Sequence, residues 1–242
     1  MKFLRNLLAK NGYILLKEEF APKGVFFKAD IKRLIDINKV VNVWDVGAFE
    51  GYMTEFFLQL FPNSNISAIE PTSKSFNILK NKFGLNKRVH LINKGIGNIN
   101  EKITFKLFEN GELNSFKNIN RDEATSINTE EIDVQTLDYL TTSKSSIDFL
   151  KIDVEGFEMQ CLSGARNLLK SKEIGMILIE AGFADDDERH TSFDSIKVFL
   201  NTSGFSFYGL YDLYHYRNKT ELLFANALFI NEEYLVKRGI LI

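Results

Sequence analysis

Short apolar runs alternate with helix-like patterns along most of this chain. The runs predicted as strands cover residues 40–47, 66–69, 89–92, 147–153 and 176–180, and the helical patterns between them cover residues 52–61, 73–83 and 158–169. Such alternation is typical of a domain in which helices cover both faces of a mostly parallel sheet. The sequence therefore predicts a doubly wound α/β fold.

The last third of the chain breaks this alternation. A helical pattern at residues 192–201 is followed by two strand-like runs, at residues 205–210 and 222–229, with no helical pattern between them. A parallel pair would need a long crossover, usually a helix, so the two runs predict an antiparallel hairpin. We expect this hairpin at one edge of the sheet.

The middle of the chain contains a less regular stretch. Residues 102–108 (KITFKLF) alternate polar and apolar side chains, which predicts a half-exposed strand. Residues 109–130 are polar and rich in Asn and Ser, and we expect them to form a long loop. A further apolar run follows at residues 132–137.

Length and charge limit the domain organisation and the partners. The chain has 242 residues, enough for one sizeable core, and three prolines and no repeat. We expect a helical arm over residues 1–30 and a single domain over residues 31–242. The net charge is −2, whereas nucleic-acid-binding proteins carry a basic patch, so we expect no nucleic-acid partner.

Cysteine usage and hydropathy bear on location. The single cysteine, Cys161, excludes a disulfide within the chain and a zinc site of several cysteines. We therefore expect a reducing, cytoplasmic location. No run of 18 apolar residues occurs, so we expect no transmembrane segment. An apolar face at helical spacing near the N-terminal lysines either packs on the domain or contacts a membrane surface; it consists of Phe3, Leu4, Leu7 and Leu8.

The first strand ends in the sequence VWDVGAFEG, residues 43–51. Gly47 and Gly51 allow a tight turn and a close approach of the backbone to a ligand. The pattern D-x-G-x-x-x-G differs from the G-x-G-x-x-G that admits a pyrophosphate, and Asp45 would repel a pyrophosphate. It suits a ligand with a positive end, such as the ammonium and sulfonium of S-adenosylmethionine.

The second strand also ends in an acid, Glu70, 25 residues after Asp45 (70 − 45). An acidic residue about 20 positions after the glycine turn is where a ribose hydroxyl pair is bound in nucleotide-binding sheets. The alternative is that Glu70 caps the helix that Pro71 opens. Together, the turn and Glu70 indicate an adenosyl cofactor.

Five motifs in order give the chain a more specific resemblance. They are D-V-G-A-x-x-G at 45–51, I-E-P at 69–71, T-L-D at 136–138, K-I-D-V-E-G-x-E at 151–158 and L-x-G-A at 162–165. Over roughly residues 40–210 the chain resembles the FkbM family of S-adenosylmethionine-dependent methyltransferases. The resemblance implies a class I methyltransferase fold, which is Rossmann-like with a seven-stranded sheet. It also implies O-methylation, commonly of sugar hydroxyls in polysaccharide, glycolipid or antibiotic biosynthesis.

The resemblance also assigns cofactor-binding residues at the first strand ends. These are Asp45, Gly47, Ala48 and Gly51 for the methionine end, and Glu70 and Pro71 for the ribose. The adenine site is less complete, because residues 93–98 (NKGIGN) supply Gly97 but no acid. Backbone groups there, or the side chain of Asn93, are the candidates for adenine recognition.

Acids at the later strand ends are the candidates for catalysis. Methyl transfer needs the acceptor hydroxyl aligned with the methyl group, and a base or a metal to help remove its proton. Asp153 would contact both cofactor and acceptor, and Asp153 or Glu155 would be the base. Alternatively, Asp153 and Glu180 would bind Mg²⁺. We favour the metal-free reaction, because the sequence offers no clear third ligand.

Two further residues are candidates beside these acids. Lys151 either forms an ion pair with a neighbouring acid or orients Asp153 or a substrate oxygen. His190, on a loop beyond the fifth strand, is a possible base, although a lone loop histidine is more often exposed.

Other classes of protein remain as alternatives. A nucleic-acid methyltransferase is disfavoured because the chain has no N-P-P-Y, D-P-P-Y or Pro-Cys motif. A nicotinamide oxidoreductase is disfavoured by the glycine pattern. A catalytically silent module that binds S-adenosylmethionine and a methyltransferase of a non-sugar small molecule both stay open. The oligomeric state and the acceptor do not follow from the sequence.

Overall fold

The computed structural model describes residues 7–13, 15–108, 126–141, 146–185, 187, 189–216 and 220–242. Within these residues the main element is a seven-stranded sheet of order β3-β2-β1-β7-β8-β10-β9. Its strands are β1 (Asn42–Val46), β2 (Asn65–Ile69), β3 (Val89–Ile92), β7 (Ile147–Ile152), β8 (Ile174–Gly182), β9 (Ser206–His215) and β10 (Leu222–Ile230). β10 runs antiparallel to both of its neighbours, and the other pairs are parallel. The predicted fold class and the edge hairpin are confirmed.

Helices lie before, between and after the strands of this sheet. They are α1 (Phe27–Leu34), α2 (Tyr52–Leu60), α3 (Ser73–Phe83), α4 (Leu137–Leu140), α5 (Glu158–Ser163), α6 (Arg166–Lys170), α7 (Phe193–Thr202) and α8 (Glu232–Lys237). Among the described residues, no helix combines the length and the apolar character that crossing a bilayer would need.

The core lies in two apolar layers, one on each face of the sheet. Because successive side chains of a strand point to opposite faces, Val43 packs with the layer that holds Phe57 of α2, whereas Trp44 and Val46 pack with the layer that holds Leu162 of α5. Each layer buries about 20 hydrophobic residues almost completely. The sheet is therefore packed on both of its faces.

The prediction of one continuous helix over residues 158–169 is wrong. The chain forms two short helices, α5 and α6, which are separated at Gly164 and Ala165. A Cβ atom on Gly164 would overlap the carbonyl oxygen of Gly97. The close approach of these two backbone segments, which lie far apart in sequence, interrupts the helix.

The predicted loop over residues 109–130 is wrong at its C-terminal end. Residues 126–130 belong to β6 (Ser126–Gln135), which pairs antiparallel with β5 (Glu101–Phe108) and parallel with the short strand β4 (Gly95–Ile96). These strands form a second, three-stranded sheet. Residues 109–125 lie outside the described residues.

The N-terminal segment is attached to the domain through α1. The carboxylate of Asp30 is buried and accepts hydrogen bonds from the Gly24 amide at 2.6 Å and the Tyr211 hydroxyl at 2.9 Å. Residues 7–10 are helical, and Leu7 is 49% exposed. The boundary at residue 30 falls within α1 and stays a prediction, and residues 3 and 4 lie outside the described part.

Candidate active site

Four neighbouring parallel strands bring the predicted acids to one edge of the sheet. Val46 of β1 is paired with Ile69 of β2 and Ile152 of β7, and Ile152 is paired with Ile179 of β8. The residues that follow these partners therefore form one row, which consists of Gly47, Glu70, Asp153 and Glu180. This row lies at the carboxyl ends of the strands, where doubly wound sheets bind ligands.

The turn after β1 requires glycine at two positions. Gly47 has φ +76°, and a Cβ atom there would overlap the carbonyl oxygen of Asp153. Gly51 has φ +85°, and a Cβ atom there would lie 2.8 Å from Leu79 and overlap the ring of Phe83. Between them, the amides of Gly47 and Ala48 both donate to the Ile69 carbonyl, at 3.0 and 2.9 Å. The turn is thus fixed against β2 and against the loop after β7.

Lys151 is the buried centre of the site. Its Nζ donates to the Gly47 carbonyl at 2.9 Å and lies 3.2 Å from Asp153 Oδ2 and 3.5 Å from Asp45 Oδ1. Burial alone would lower the pKa of Lys151, but Asp153 and Asp45 more than offset it, so the pKa lies above the usual lysine range. Lys151 therefore remains a cation, and it joins Asp45 and Asp153 to the glycine turn.

Asp45 is completely buried beneath this turn. Its Oδ2 accepts from the Thr54 hydroxyl of α2 at 2.6 Å. Burial raises the pKa of Asp45, while Lys151 and the Thr54 hydrogen bond oppose the rise. The sequence motif did not reveal Thr54, which lies one turn into the following helix.

Glu70 connects the end of β2 to the glycine turn. Its Oε2 accepts from the Phe49 amide at 3.0 Å, and its Oε1 accepts from the amide and the hydroxyl of Thr72 at 3.0 and 2.6 Å. Burial raises the pKa of Glu70 above its usual value. The exposed side chain of Asn93 donates to the carbonyls of Glu70 and Pro71, each at 2.9 Å. Both predicted ribose residues and Asn93 therefore lie together.

Gly97, the other candidate for the adenine side, is tightly packed. A Cβ atom on Gly97 would lie 2.7 Å from Val134 Cγ1, and its carbonyl contacts Gly164. Its amide donates to the Gln135 carbonyl at 3.1 Å. The observed contacts of Gly97 hold the small sheet against α5.

The turn after β7 is held by the buried side chain of Glu158 and the half-buried side chain of Glu155. Glu158 accepts from the Gly156 amide at 2.9 Å through Oε1 and from the Thr191 hydroxyl at 2.5 Å through Oε2. Glu155, in this turn, has φ +53° and binds Arg189 Nε at 2.6 Å through Oε2. Burial, opposed by Arg189, raises the pKa of Glu155 to about 7. Neither Thr191 nor Arg189 was predicted, because each meets its partner from a distant loop.

His190 is buried, which contradicts the expectation that a lone loop histidine is exposed. Its Nδ1 lies 2.6 Å from Asp187 Oδ2, and its Nε2 lies 3.4 Å from Glu180 Oε2. Its ring stacks on Phe224 of β10 with centroids 4.5 Å apart. The loop after β8 thus folds back over the strand ends, since Gly182 also donates to the Thr191 carbonyl.

One set of side chains in the described residues has the arrangement of metal ligands. Donor atoms of Glu155, Glu180 and His190 all lie within 4.8 Å of one another. Asp153, which the sequence paired with Glu180, lies outside this set and is bound to Lys151. Burial, together with the nearby acids, raises the pKa of Glu180 well above its usual value.

The comparison with protein families identifies the class of enzyme. The family model described as the methyltransferase FkbM domain matches residues 45–207, which include the glycine turn, Glu70 and the turn after β7. The match defines the class of protein, which is a methyltransferase by family. More particularly, the chain belongs to the FkbM methyltransferase family.

One solved structure agrees with the fold. The methyltransferase FkbM from Methylobacillus flagellatus KT is 17% identical with a TM-score of 0.53, and the match covers 79% of this chain and 44% of that protein. This chain therefore spans less than half the length of that relative. A TehB-like methyltransferase from Corynebacterium glutamicum is 13% identical with a TM-score of 0.43, and 95% and 94% of the two chains are covered. No curated protein matches the chain.

Proposed function

We propose that this protein transfers the methyl group of S-adenosylmethionine to a hydroxyl oxygen of a sugar, in a glycan precursor or a glycosylated small molecule. The observation that carries the proposal is the row of Gly47, Glu70, Asp153 and Glu180 at one sheet edge. A glycine turn packed against the carbonyl of Asp153 lies there beside several carboxylates. Carboxylates accept hydrogen bonds from hydroxyl groups, which suits an acceptor rich in hydroxyls.

The cofactor would bind across β1 and β2. The turn of Gly47, Ala48 and Gly51 would receive the methionine end, with the buried Asp45 beneath it providing negative charge. Glu70 and Pro71 would face the ribose. A carboxylate has about four acceptor positions, and Glu70 accepts three hydrogen bonds from Phe49 and Thr72, so one position remains for a ribose hydroxyl.

The adenine would lie beyond the ribose, against the segment after β3. Asn93 and Gly97 are the residues proposed there. Asn93 is exposed, but its amide nitrogen already binds the Glu70 and Pro71 carbonyls, so its side-chain oxygen and nearby backbone groups would meet the base. The absence of an acid in this segment agrees with recognition by neutral groups.

Asp153 is the proposed general base. Its side chain is 35% exposed, so an acceptor can reach it, and Lys151 keeps it oriented toward the glycine turn. As the acceptor oxygen attacks the methyl carbon, the bond from sulfur to that carbon breaks and S-adenosylhomocysteine leaves. The proton of the acceptor hydroxyl passes to Asp153. Alignment of the two reactants accounts for several kcal/mol of the lowered barrier.

Glu155 and His190 would face the acceptor on the other side of Asp153. Phe224 lies beneath His190 and stacks on Tyr214, with ring centroids 4.9 Å apart. Tyr214 is 45% exposed and offers an aromatic face beside the hydroxyl-binding acids. An apolar face next to acceptors of hydrogen bonds is suited to the two kinds of surface that a sugar ring presents.

Biological setting and location are part of the same proposal. A role in polysaccharide biosynthesis follows from the family resemblance. The buried, free Cys161 and the net charge of −2 support a cytoplasmic location without a nucleic-acid partner. Contact of the N-terminal arm with a membrane surface remains compatible with this setting.

The decisive experiment measures release of S-adenosylhomocysteine from S-adenosylmethionine in the presence of nucleotide sugars, lipid-linked saccharides and non-sugar phenols. We expect turnover only with sugar acceptors. Asp153→Asn should lower kcat by about 10²–10⁴-fold, because a positioned base contributes that much, and should leave the affinity for S-adenosylmethionine nearly unchanged. Turnover with phenols alone would contradict the proposal of a sugar acceptor. An unaltered kcat in Asp153→Asn would show that Asp153 is not the general base.

A further inference from the structure

We propose that Glu155, Glu180 and His190 bind a divalent transition-metal ion at the acceptor side of the active site. These residues come from the ends of β7 and β8 and from the loop after β8. Their donor atoms lie within 4.8 Å of one another. Binding of the ion is independent of the acceptor's identity, and only the ion's role in catalysis rests on the proposed function.

The spacing of two of these donors fits a shared ion. His190 Nε2 and Glu180 Oε2 are 3.4 Å apart, which is long for a hydrogen bond between an imidazole and a carboxylate. Two ligand atoms that each lie about 2.1 Å from a tetrahedrally coordinated ion are separated by roughly 3.4 Å. The observed separation matches this value.

Burial of Glu180 gives an independent reason for a ligand. Its Oε2 is buried, and among the described residues no group donates a hydrogen bond to it. A buried carboxylate oxygen without a partner is costly, because it has lost its water without replacement. A metal ion between Glu180 and His190 would supply the missing partner.

The surroundings of His190 are those of a metal ligand. Asp187 Oδ2, 2.6 Å from Nδ1, favours the tautomer in which Nδ1 carries the proton, so the lone pair is on Nε2. Histidines that bind metals commonly donate their other ring nitrogen to a carboxylate in this way. Arg189 binds Oε2 of Glu155 and so orients the second carboxylate.

The charges around Glu180 also favour a bound metal ion. Asp153, Glu155 and Glu158 all act electrostatically on Glu180, and Lys151 is the cation that opposes them most directly. A divalent ion would compensate this excess of negative charge. One imidazole among two carboxylates favours Mn²⁺ or Zn²⁺ over Mg²⁺, which prefers oxygen ligands and keeps its waters. An acceptor hydroxyl bound to such an ion would lose its proton to Asp153 more easily.

The test titrates Mn²⁺ into chelator-treated, full-length protein, without methyl donor or acceptor, and follows free Mn²⁺ by electron paramagnetic resonance. Zn²⁺ is then added as a competitor. We expect one Mn²⁺ per chain, displaced by Zn²⁺. Glu180→Gln and His190→Gln should each weaken Mn²⁺ binding at least about 10-fold, and Asp187→Asn by about 10–100-fold, since outer-shell partners have effects of that size.

Glu232→Gln is the matched control, because Glu232 is an exposed carboxylate on α8, and it should bind Mn²⁺ like the wild type. A direct signature comes from the wild-type protein alone: bound Mn²⁺ should show magnetic coupling to a ¹⁴N nucleus of an imidazole. Saturating Mn²⁺ without this coupling, or no binding of Mn²⁺ and Zn²⁺, would overturn the proposal even if the variants fold poorly. Failure of methyl transfer with intact metal binding would instead count against the proposed function.

Discussion

At Gly47, the structure has no room for a side chain. This glycine has a positive φ, and its α-carbon lies against the carbonyl of Asp153. Gly47→Ala should lower the free energy of unfolding by about 3 kcal/mol or more, because backbone strain and a clash with backbone atoms add together. Urea denaturation measures this loss.

Gly204→Ala is the matched control for that substitution. Gly204 has φ +87°, but no atom lies within 4 Å of where its Cβ would be. It should therefore show only the cost of the left-handed conformation, about 1–2 kcal/mol. Equal losses in the two variants would mean that the contact with Asp153 does not constrain the turn.

Lys151 is the residue on which the buried charge of Asp45 depends. Lys151→Met should lower the free energy of unfolding by about 3–5 kcal/mol near pH 8, because a buried carboxylate loses its counter-ion. Burial raises the pKa of Asp45, so the folded state takes up its proton more readily than the unfolded state. Stability from this group is therefore lost as pH rises from the unfolded pKa, about 3.9, through the folded one.

The pH dependence separates this cause from a simple loss of packing. The deficit of Lys151→Met should shrink when unfolding is measured at pH 5 rather than pH 8. Adding Asp45→Asn to Lys151→Met should remove most of that pH dependence, since the carboxylate is gone. A deficit that is the same at both pH values would show that charge on Asp45 is not its source.

For individual residues, the sequence predicted the acids of the site but not the side chains that bind them. Asp45, Glu70 and Asp153 were found because each ends an apolar run. Thr54 and Asp187 were not, because a single hydroxyl or carboxylate in a helix or polar loop has no pattern that reveals which atom it will contact. Their roles depend on tertiary folding.

Among the elements, α1 makes a buried hydrogen bond to the sheet in addition to its apolar contacts. The Tyr211 hydroxyl of β9 donates to Asp30 of α1. Tyr211→Phe should lower the free energy of unfolding by about 1.5–3 kcal/mol, the usual contribution of a hydrogen bond to a charged group. Thermal or urea unfolding gives the value.

Tyr139→Phe serves as the comparison, because Tyr139 of α4 is 66% exposed. Removing its hydroxyl should change stability by no more than about 0.5 kcal/mol. If Tyr211→Phe were equally mild, the contact with Asp30 would not hold α1 in place.

Element bounds were predicted well where a pattern is local. The helix over residues 73–83 has the predicted bounds, since its apolar spacing lies within the segment. The helix over residues 158–169 was not resolved into two, because its interruption at Gly164 depends on Gly97, which lies 67 residues away (164 − 97). A helical period carries no information about such a contact.

For the whole molecule, the alternation of strands and helices was enough to predict the doubly wound sheet and its hairpin edge. The second sheet was missed, because β4 has only two residues and pairs with Val134 and Gln135 across a long separation. Two residues are too few for a periodic signal. The set of Glu155, Glu180 and His190 was not predicted as a group, since its three members come from separate segments of the chain.

The contact between Gly47 and the Asp153 carbonyl limits which parts of the protein can change when the acceptor changes. The turn proposed to hold the donor and the residue proposed to take the proton share one backbone contact and one lysine hydrogen bond. A change that moves the glycine turn therefore also moves Asp153, so the proposed positions of donor and base change together. Changes of acceptor must then come from the loop after β8, at positions other than Asp187 and Arg189, because these two residues contact His190 and Glu155.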